Sequence, residues 1–227
     1  MGLENIKNAY NQAIIDRDRA FKKLMQVRSE LTLEDFETLL IQRGNLALIE
    51  HRTLRKFIID TDNREIIDLL YSYITHNNTE AINPTIGVVV TGDFGCGKSI
   101  LMSAFCKVLN DLDVSQEPIE EVHAIALSEM IKADGILPWA KKPLLIQDMC
   151  MEEKIINSFG TKINPIGNLL AVRAEYGSLT FGTANKKWEN FEKHYSEYIG
   201  TRAKEHFNFI FLPGASRRKD YRSPETI

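Results

Sequence analysis

The chain has 227 residues and a formal net charge of −3, with 44% of its residues hydrophobic and 26% charged. This composition is typical of one globular α/β core with a small appendage, and no apolar run approaches the roughly 20 residues that a transmembrane helix needs. The N-terminus lacks the apolar region of a signal peptide, and three cysteines without paired spacing favour a cytoplasmic protein over a disulfide-linked secreted one.

Residues 1–80 are predicted to form a helical segment that either binds a partner or packs against the rest of the chain. Apolar residues recur at steps of three or four from Ile6 to Leu24, which indicates an amphipathic helix. Thr32 is suited to cap a second helix, because Asp35 follows it at capping-box spacing. Gly44-Asn45 is interpreted as the end of that helix. Two more helices are predicted over residues 46–58 and 63–74.

The polar stretch from His76 to Pro84 is predicted to be a linker, after which the pattern changes. Ile86 to Val90 is a continuous apolar run, typical of a strand buried on both faces of a parallel sheet. Similar runs then alternate with helical patterns, so residues 81–227 are predicted to form an α/β domain with a mostly parallel sheet flanked by helices. The predicted strands lie near residues 86–91, 121–126, 143–148, 178–184 and 207–212. The predicted helices between them are Ser99 to Leu109, Leu127 to Ala133, Ile166 to Tyr176 and Trp188 to His206.

The first strand leads into Gly92-Asp93-Phe94-Gly95-Cys96-Gly97-Lys98-Ser99, which matches the phosphate-binding loop G-x-x-x-x-G-K-[ST] at every fixed position. Glycines let backbone N–H groups turn toward phosphate oxygens. Lys98 supplies positive charge to the β- and γ-phosphates, and Ser99 offers a hydroxyl to Mg²⁺. Ser99 and Ile100 also begin a helix whose dipole favours an anion at this end. The sequence therefore predicts that this loop binds ATP with Mg²⁺.

A later strand, Leu144 to Ile146, is followed by Gln147-Asp148. ATP hydrolysis at a site of this kind needs an acidic residue at the end of a neighbouring strand, to hold the magnesium shell and polarise water. Asp148 is the candidate for that acid.

The order of these features resembles the AAA+ ATPases of the DnaC/IstB group, which are helicase loaders and transposition ATPases. The resemblance covers roughly residues 55–220. In this group, the strand that corresponds to Leu144 to Ile146 is followed by an acidic pair. A helix with Arg-Tyr, a strand ending Thr-Ser-Asn, a Ser-Arg-Leu segment and a closing Gly-x-x-Tyr-Arg then follow in this order. The corresponding segments here are Gln147 to Glu152, Arg173 to Tyr176, Thr180 to Asn185, Thr201-Arg202-Ala203 and Gly214 to Arg218.

The resemblance implies a P-loop domain of AAA+ type and a role for each matched residue. Asn185 would orient the attacking water, and Arg202 would be an arginine finger reaching the nucleotide of a neighbouring subunit. Arg218, or Arg217, would act near the nucleotide or on DNA. Asp148 would hold Mg²⁺ through a water while Ser99 binds it directly. The strands holding Asp148 and Asn185 are expected beside the P-loop strand.

The resemblance further implies self-association in the ATP state and a partner such as a replicative helicase or a transposase. Single-stranded DNA is a further candidate ligand, because residues 154–222 carry 12 Lys+Arg against 6 Asp+Glu. The residues suited to bind DNA by charge and stacking are Lys186, Lys187, Trp188 and the basic tail Arg217, Arg218, Lys219 and Arg222.

The acidic pair departs from the group. In one register Gln147 takes the magnesium position and Asp148 the catalytic position. In the other, Asp148 takes the magnesium position and Met149 replaces the catalytic acid. Either register leaves one acid where two are usual, which predicts slow hydrolysis with near-normal ATP binding.

Three other functions also use a phosphate-binding loop. A non-catalytic adaptor would hold ATP without turnover. A small-molecule kinase would need acceptor-site arginines and a lid, and the acidic stretch from Asp111 to Val122 is a poor lid. A GTPase would need N-K-x-D, but Trp188 replaces the Asp in Asn185-Lys186-Lys187-Trp188.

Overall fold

A computed structural model of the chain describes residues 3–113, 117–158, 161–185, 188–195 and 197–218. The helices in this part are α1 (Leu3–Glu30), α2 (Leu33–Glu50), α3 (Arg64–Thr75), α4 (Lys98–Asp111), α5 (Ala124–Asp134), α6 (Pro165–Tyr176), α7 (Trp188–Tyr195) and α8 (Glu197–His206), with a 3₁₀ turn at Leu137–Trp139. The strands are β1 (Gly87–Gly92), β2 (Glu120–His123), β3 (Leu144–Met149), β4 (Ile156–Ser158), β5 (Thr161–Ile163), β6 (Thr180–Ala184) and β7 (Phe207–Leu212).

Five of the strands form one parallel sheet in the order β2-β3-β6-β1-β7. The P-loop strand β1 is buried along its whole length, as its apolar run predicted. Side chains alternate between the two faces: Val88 and Val90 pack with α2, α3 and α4, whereas Val89 packs with α5, α6, α7 and α8. The predicted parallel sheet flanked by helices is therefore confirmed.

The neighbours of β1 differ from the expectation in one respect. β6, which leads to Asn185, pairs with β1 as predicted, but β3 pairs with β6 and does not touch β1. Because all five strands are parallel, their carboxyl ends still lie along one edge. Asp148 therefore reaches the P-loop from two strands away.

The predicted break at Gly44-Asn45 and the helix over residues 46–58 are wrong. α2 continues to Glu50 and ends where Arg52 has a φ of 55°, and residues 53–60 then run back along α2 without helical structure. Gly44 is needed for this close approach, because a Cβ there would lie 2.4 Å from the Phe57 ring. Asn45 does not end the helix: its side-chain oxygen accepts a hydrogen bond from the Phe57 N–H at 2.8 Å.

Other predicted elements in the first 80 residues fit the structure closely. The Thr32 hydroxyl caps α2 by accepting from the Asp35 N–H at 3.1 Å, and α3 begins directly after Asn63. α2 and α3 contribute buried residues to the same hydrophobic cluster as β1 and α4, among them Phe36, Leu40 and Leu70. The domain boundary near residue 80 remains a prediction. In the structure, α2 and α3 share a hydrophobic core with the sheet.

Three smaller differences lie in the second half of the chain. The run from Val122 to Ala126 is not all strand, because β2 ends at His123 and α5 begins at Ala124. The helix predicted over residues 188–206 is two helices, α7 and α8. The antiparallel hairpin of β4 and β5 was not predicted.

None of the helices in the described ranges combines the length and apolarity that crossing a bilayer requires.

Candidate nucleotide-binding site

The glycine-rich loop joins β1 to α4 and has the backbone form that its sequence predicted. Gly95 and Gly97 have φ values of 81° and 108°, a region that L side chains rarely adopt. A Cβ on Gly95 would also lie 2.3 Å from the Ser216 hydroxyl oxygen. The loop therefore turns tightly at the carboxyl end of β1, where the first N–H groups of α4 are suited to bind an anion.

Lys98 is the first residue of α4, and its side chain folds back across the loop. The residue is 4% exposed, and its Nζ donates to the Asp93 carbonyl oxygen at 2.7 Å. Cys96 is buried, with its sulfur 3.8 Å from the same nitrogen. Gly92 ends β1 at the base of the loop. The ammonium group is thus already held among the backbone atoms of the loop that surround a phosphate in this motif.

A cavity of about 560 Å³ opens in front of the loop, a size suited to a nucleotide. Its wall includes Phe94 to Leu101 and, from the segment after α2, His51, Thr53 and residues 55–58. The cavity is also lined by Asp148, Asn185, Arg217 and Arg218, which were candidates from the sequence, and by His123, which was not. The segment 53–58 was missed because its apolar residues were read as a helix.

The end of β3 is a β-bulge. Ile146 pairs with Gly182 and Met149 with Ala184, so Gln147 and Asp148 together stand opposite Thr183. The Thr183 hydroxyl accepts from the Asp148 N–H at 2.9 Å and donates to the Gln147 side-chain oxygen at 2.7 Å. Asp148 has a φ of 55° there. Because of the bulge, the Gln147 side chain faces the start of α4, whereas the Asp148 side chain faces the cavity.

Gln147 faces the start of α4. Its side chain is buried, and the amide nitrogen donates to the Ser99 carbonyl oxygen at 3.1 Å and to Glu121 Oε1 at 2.9 Å. Ser103 holds the other oxygen of Glu121 at 2.7 Å. A neutral amide therefore stands beside the residue that the motif assigns to Mg²⁺. This arrangement favours the register in which Gln147 takes the magnesium position and Asp148 the catalytic one.

Asp148 faces the cavity, and two polar side chains approach its carboxylate. Asn185 Nδ2 lies 3.4 Å from Asp148 Oδ1, and His123 Nδ1 lies 3.7 Å from Asp148 Oδ2. Ser99 lines the same cavity. These oxygen donors are of the type that Mg²⁺ prefers, so Ser99 and Asp148 fit the cation that the motif implies.

The next acidic residues after Asp148, Glu152 and Glu153, are not among the residues that line the cavity. The side chain of Glu152 is 2% exposed and pairs with His194 at 3.2 Å, away from the cavity wall. The neighbouring Tyr195 hydroxyl accepts from the Cys150 N–H at 3.0 Å, and burial raises the pKa of Tyr195 well above its ordinary value. This buried cluster fixes the chain after Asp148 against α7.

Arg202 lies at the opposite edge of the sheet from the P-loop. It lines a second cavity, of about 140 Å³, with the first residues of β1, β6 and β7, and it pairs with Glu175 at 3.2 Å. Arg217 and Arg218 both line the nucleotide-sized cavity. Arg217 also binds the backbone of the P-loop, and Arg218 is exposed. Lys186, Lys187, Lys219 and Arg222 lie outside the described residues, as does the side chain of Trp188.

Within the parallel sheet, the buried strand β1 leads through a glycine-rich loop into the helix α4. This arrangement defines a P-loop NTPase fold of AAA+ type. Two solved structures are similar to this fold. One is a crystal structure of the DnaC helicase loader, with a TM-score of 0.51 and 13% identity over 69% of this chain and 93% of that chain. The other is a putative primosome component from Streptococcus pyogenes serotype M3, with a TM-score of 0.50 and 17% identity over 71% and 85%. The predicted resemblance to the DnaC group is confirmed at the level of the fold. No family model matches the chain, and no curated protein matches its sequence.

Proposed function

We propose that the chain is an ATP-binding AAA+ protein of the helicase-loader type that hydrolyses ATP slowly and acts on DNA, in replication or in transposition of a mobile element. One observation carries this proposal. The glycine-rich loop, Lys98, Asp148 and Asn185 meet at one cavity of nucleotide size, at the carboxyl edge of a parallel sheet. The similar fold of the DnaC helicase loader supports the helicase-loader type.

The residues divide the chemistry between them. The loop amides and Lys98 bind the β- and γ-phosphates. Ser99 and, through a water, Asp148 hold Mg²⁺, which neutralises charge that develops on the phosphate oxygens. Asp148 polarises the attacking water, and Asn185 orients that water by its contact with Asp148. Arg218, which lines the same cavity, contacts the phosphates or the sugar.

Slow turnover follows from Gln147. A carboxylate beside Ser99 would attract Mg²⁺ strongly, whereas an amide is neutral and its nitrogen is committed to Ser99 and Glu121. Asp148 must then serve both the metal and the water. The same observation favours a second candidate, an adaptor that binds ATP without hydrolysing it. The two candidates differ only in turnover.

Self-association in the ATP state is proposed to depend on Arg202. Arg202 lies at the amino edge of the sheet, so it is suited to reach the nucleotide of a neighbouring subunit and not its own. The Arg202→Ala variant is expected to stay monomeric with ATP and Mg²⁺ while binding ATP as the native chain does. Size-exclusion chromatography with light scattering, with and without ATP, checks this.

The matched control is Lys204→Ala, on the same helix α8, where Lys204 Nζ lies 3.9 Å from Glu192 Oε1. This variant is expected to assemble like the native chain. Assembly of Arg202→Ala, or loss of its ATP binding, would contradict the role of Arg202. A native chain that binds ATP but never assembles would contradict ATP-driven self-association.

The partners are proposed from the sequence. The N-terminal helical segment, residues 1–80, would bind a replicative helicase or a transposase, and the basic C-terminal region would bind single-stranded DNA, in the cytoplasm. Binding of DNA is expected to weaken with salt, with a slope of about −0.7 in log K against log salt for each phosphate contacted. Neutralising Lys219 and Arg222 to Ala is expected to reduce the magnitude of that slope by about 0.7 per contact removed. Binding that is independent of salt would contradict this proposal; fluorescence anisotropy measures it.

A further inference from the structure

Arg217 binds the backbone of the P-loop. It lies in the segment that follows β7, residues 213–218, which crosses the loop. The Arg217 backbone N–H donates to the Gly95 carbonyl oxygen at 2.9 Å, and its Nε donates to the Cys96 carbonyl oxygen at 3.0 Å. Two successive carbonyl groups of the loop are therefore bound by one residue that lies 121 positions later in the chain.

These two contacts fix the direction of two N–H groups. In a planar trans peptide the C=O and the N–H of the next residue point in opposite directions. The Gly95 carbonyl shares its peptide plane with the Cys96 N–H, and the Cys96 carbonyl shares its plane with the Gly97 N–H. With both carbonyls held outward by Arg217, the N–H groups of Cys96 and Gly97 are directed to the other side of the loop, where the motif binds phosphate.

Asp60 in turn holds Arg217. Its two carboxylate oxygens accept from the two terminal guanidinium nitrogens at 2.7 and 2.9 Å, a bidentate pair. Hydrogen bonding to Arg217 lowers the pKa of Asp60, and the same contact raises the pKa of Arg217. The pair is therefore charged throughout the neutral range.

The core of the protein fixes Asp60. Its Oδ1 also accepts from the N–H groups of Asp62 and Asn63 at 3.1 and 3.3 Å, and the buried Asn63 side chain accepts from the Asp60 N–H at 2.9 Å. Asn63 leads into α3, whose buried face packs in the core cluster with β1 and α4. On the other side, Arg55 donates to the Arg217 carbonyl oxygen. A continuous set of contacts thus runs from α3 to the loop.

We propose that Arg217, anchored by Asp60, is a positioning residue for nucleotide binding, which acts by holding the Gly95 and Cys96 carbonyls outward so that the loop amides face the β-phosphate. This inference rests on the proposed ATP binding and deepens it. It also divides the two adjacent arginines by role: both line the cavity, but Arg217 orders the loop through its backbone carbonyls, whereas Arg218 is exposed.

The test measures binding of AMP, ADP and ATP to the native chain and to Arg217→Ala, by calorimetry or by competition with a fluorescent ADP. The variant keeps the backbone N–H that binds Gly95 but loses the charge-assisted contact of Nε with the Cys96 carbonyl and the pairing with Asp60. This loss is expected to weaken ADP and ATP binding about tenfold or more. AMP has no β-phosphate, so its affinity is expected to be unchanged. A general loss of folding would instead weaken all three nucleotides together.

Two milder variants keep the test decisive where Arg217→Ala unfolds. Arg217→Lys retains the charge but not the planar bidentate geometry, and is expected to restore part of the ADP affinity. Asp60→Asn retains the shape of the side chain and is expected to weaken ADP but not AMP. If Asp60 and Arg217 act as a unit, the double variant loses no more affinity than Arg217→Ala alone.

The matched control is Arg43→Ala. Arg43 forms an Arg–Asp pair with Asp111 between α2 and α4, and its side-chain exposure of 35% is close to the 29% of Arg217. It is expected to bind all three nucleotides as the native chain does. Native ADP affinity in Arg217→Ala, or an equal loss for AMP and ADP, would overturn the role of Arg217. A native chain that binds neither ADP nor ATP would overturn the proposed function itself.

Discussion

Replacing Lys98 with alanine is expected to reduce ATP affinity by about 30-fold or more. Lys98 is buried at the loop, and truncating one partner of a buried, hydrogen-bonded charge pair costs about 2–5 kcal/mol, where each 1.4 kcal/mol is a factor of ten. The loss is expected for ADP as well, because the β-phosphate remains without its cation. Titration with a fluorescent ATP analogue measures it.

The control for this change is Lys107→Ala on the same helix α4, where Lys107 pairs with Glu50 at 2.7 Å on the surface. It is expected to bind ATP as the native chain does. ATP binding by Lys98→Ala with an affinity near that of the native chain would show that the loop does not cradle the triphosphate. The roles proposed for Asp148, Asn185 and Arg217 would then lose their basis.

Changing Asp148 to asparagine is expected to lower the rate of ATP hydrolysis by about 100-fold or more, while ATP affinity stays near the native value. Asparagine keeps the shape of the side chain and tolerates the φ of 55° at this position, so the bulge is expected to persist. What is removed is the charge that polarises water, an effect typically worth 10² to 10⁴ in rate. Single-turnover hydrolysis of radiolabelled ATP separates this step from binding.

The native rate in the same assay decides between the two candidate functions. A slow rate that Asp148→Asn abolishes supports the ATPase. A native rate at the background level supports the non-catalytic adaptor. Asp134→Asn, an exposed carboxylate at the end of α5, serves as the matched control and is expected to hydrolyse ATP like the native chain. Equal rates for the native chain and Asp148→Asn, both above background, would contradict the assignment of Asp148.

Much of the sheet could be predicted from local pattern. Ile86 to Val90 is apolar at every position because β1 is buried on both faces, and the observed strand spans Gly87–Gly92. The same reasoning located β3, β6 and β7 within about two residues. The hairpin of β4 and β5 was missed because its strands have three residues each, too few for a periodic pattern to appear.

The region from Leu46 to Ile58 shows where local pattern misleads. Its apolar residues have helical spacing, and Gly44-Asn45 has the composition of a helix end. In the structure the glycine makes room for Phe57 and the asparagine binds the Phe57 backbone, so both residues serve a contact between α2 and the segment beside it. A contact of this kind leaves no periodic signal, and the wall of the cavity formed by residues 53–58 was therefore missed.

The fold class and the phosphate-binding motif could be predicted locally, because strand burial, glycine geometry and the Lys98-Ser99 pair are encoded within short stretches of chain. The directions of Gln147 and Asp148 could not, since a bulge opposite Thr183 sets which of them faces the cavity. Folding also joins Arg217 to Asp60 and the loop, across 157 positions in sequence. Such contacts depend on how packed elements bring distant residues together, which no local spacing specifies.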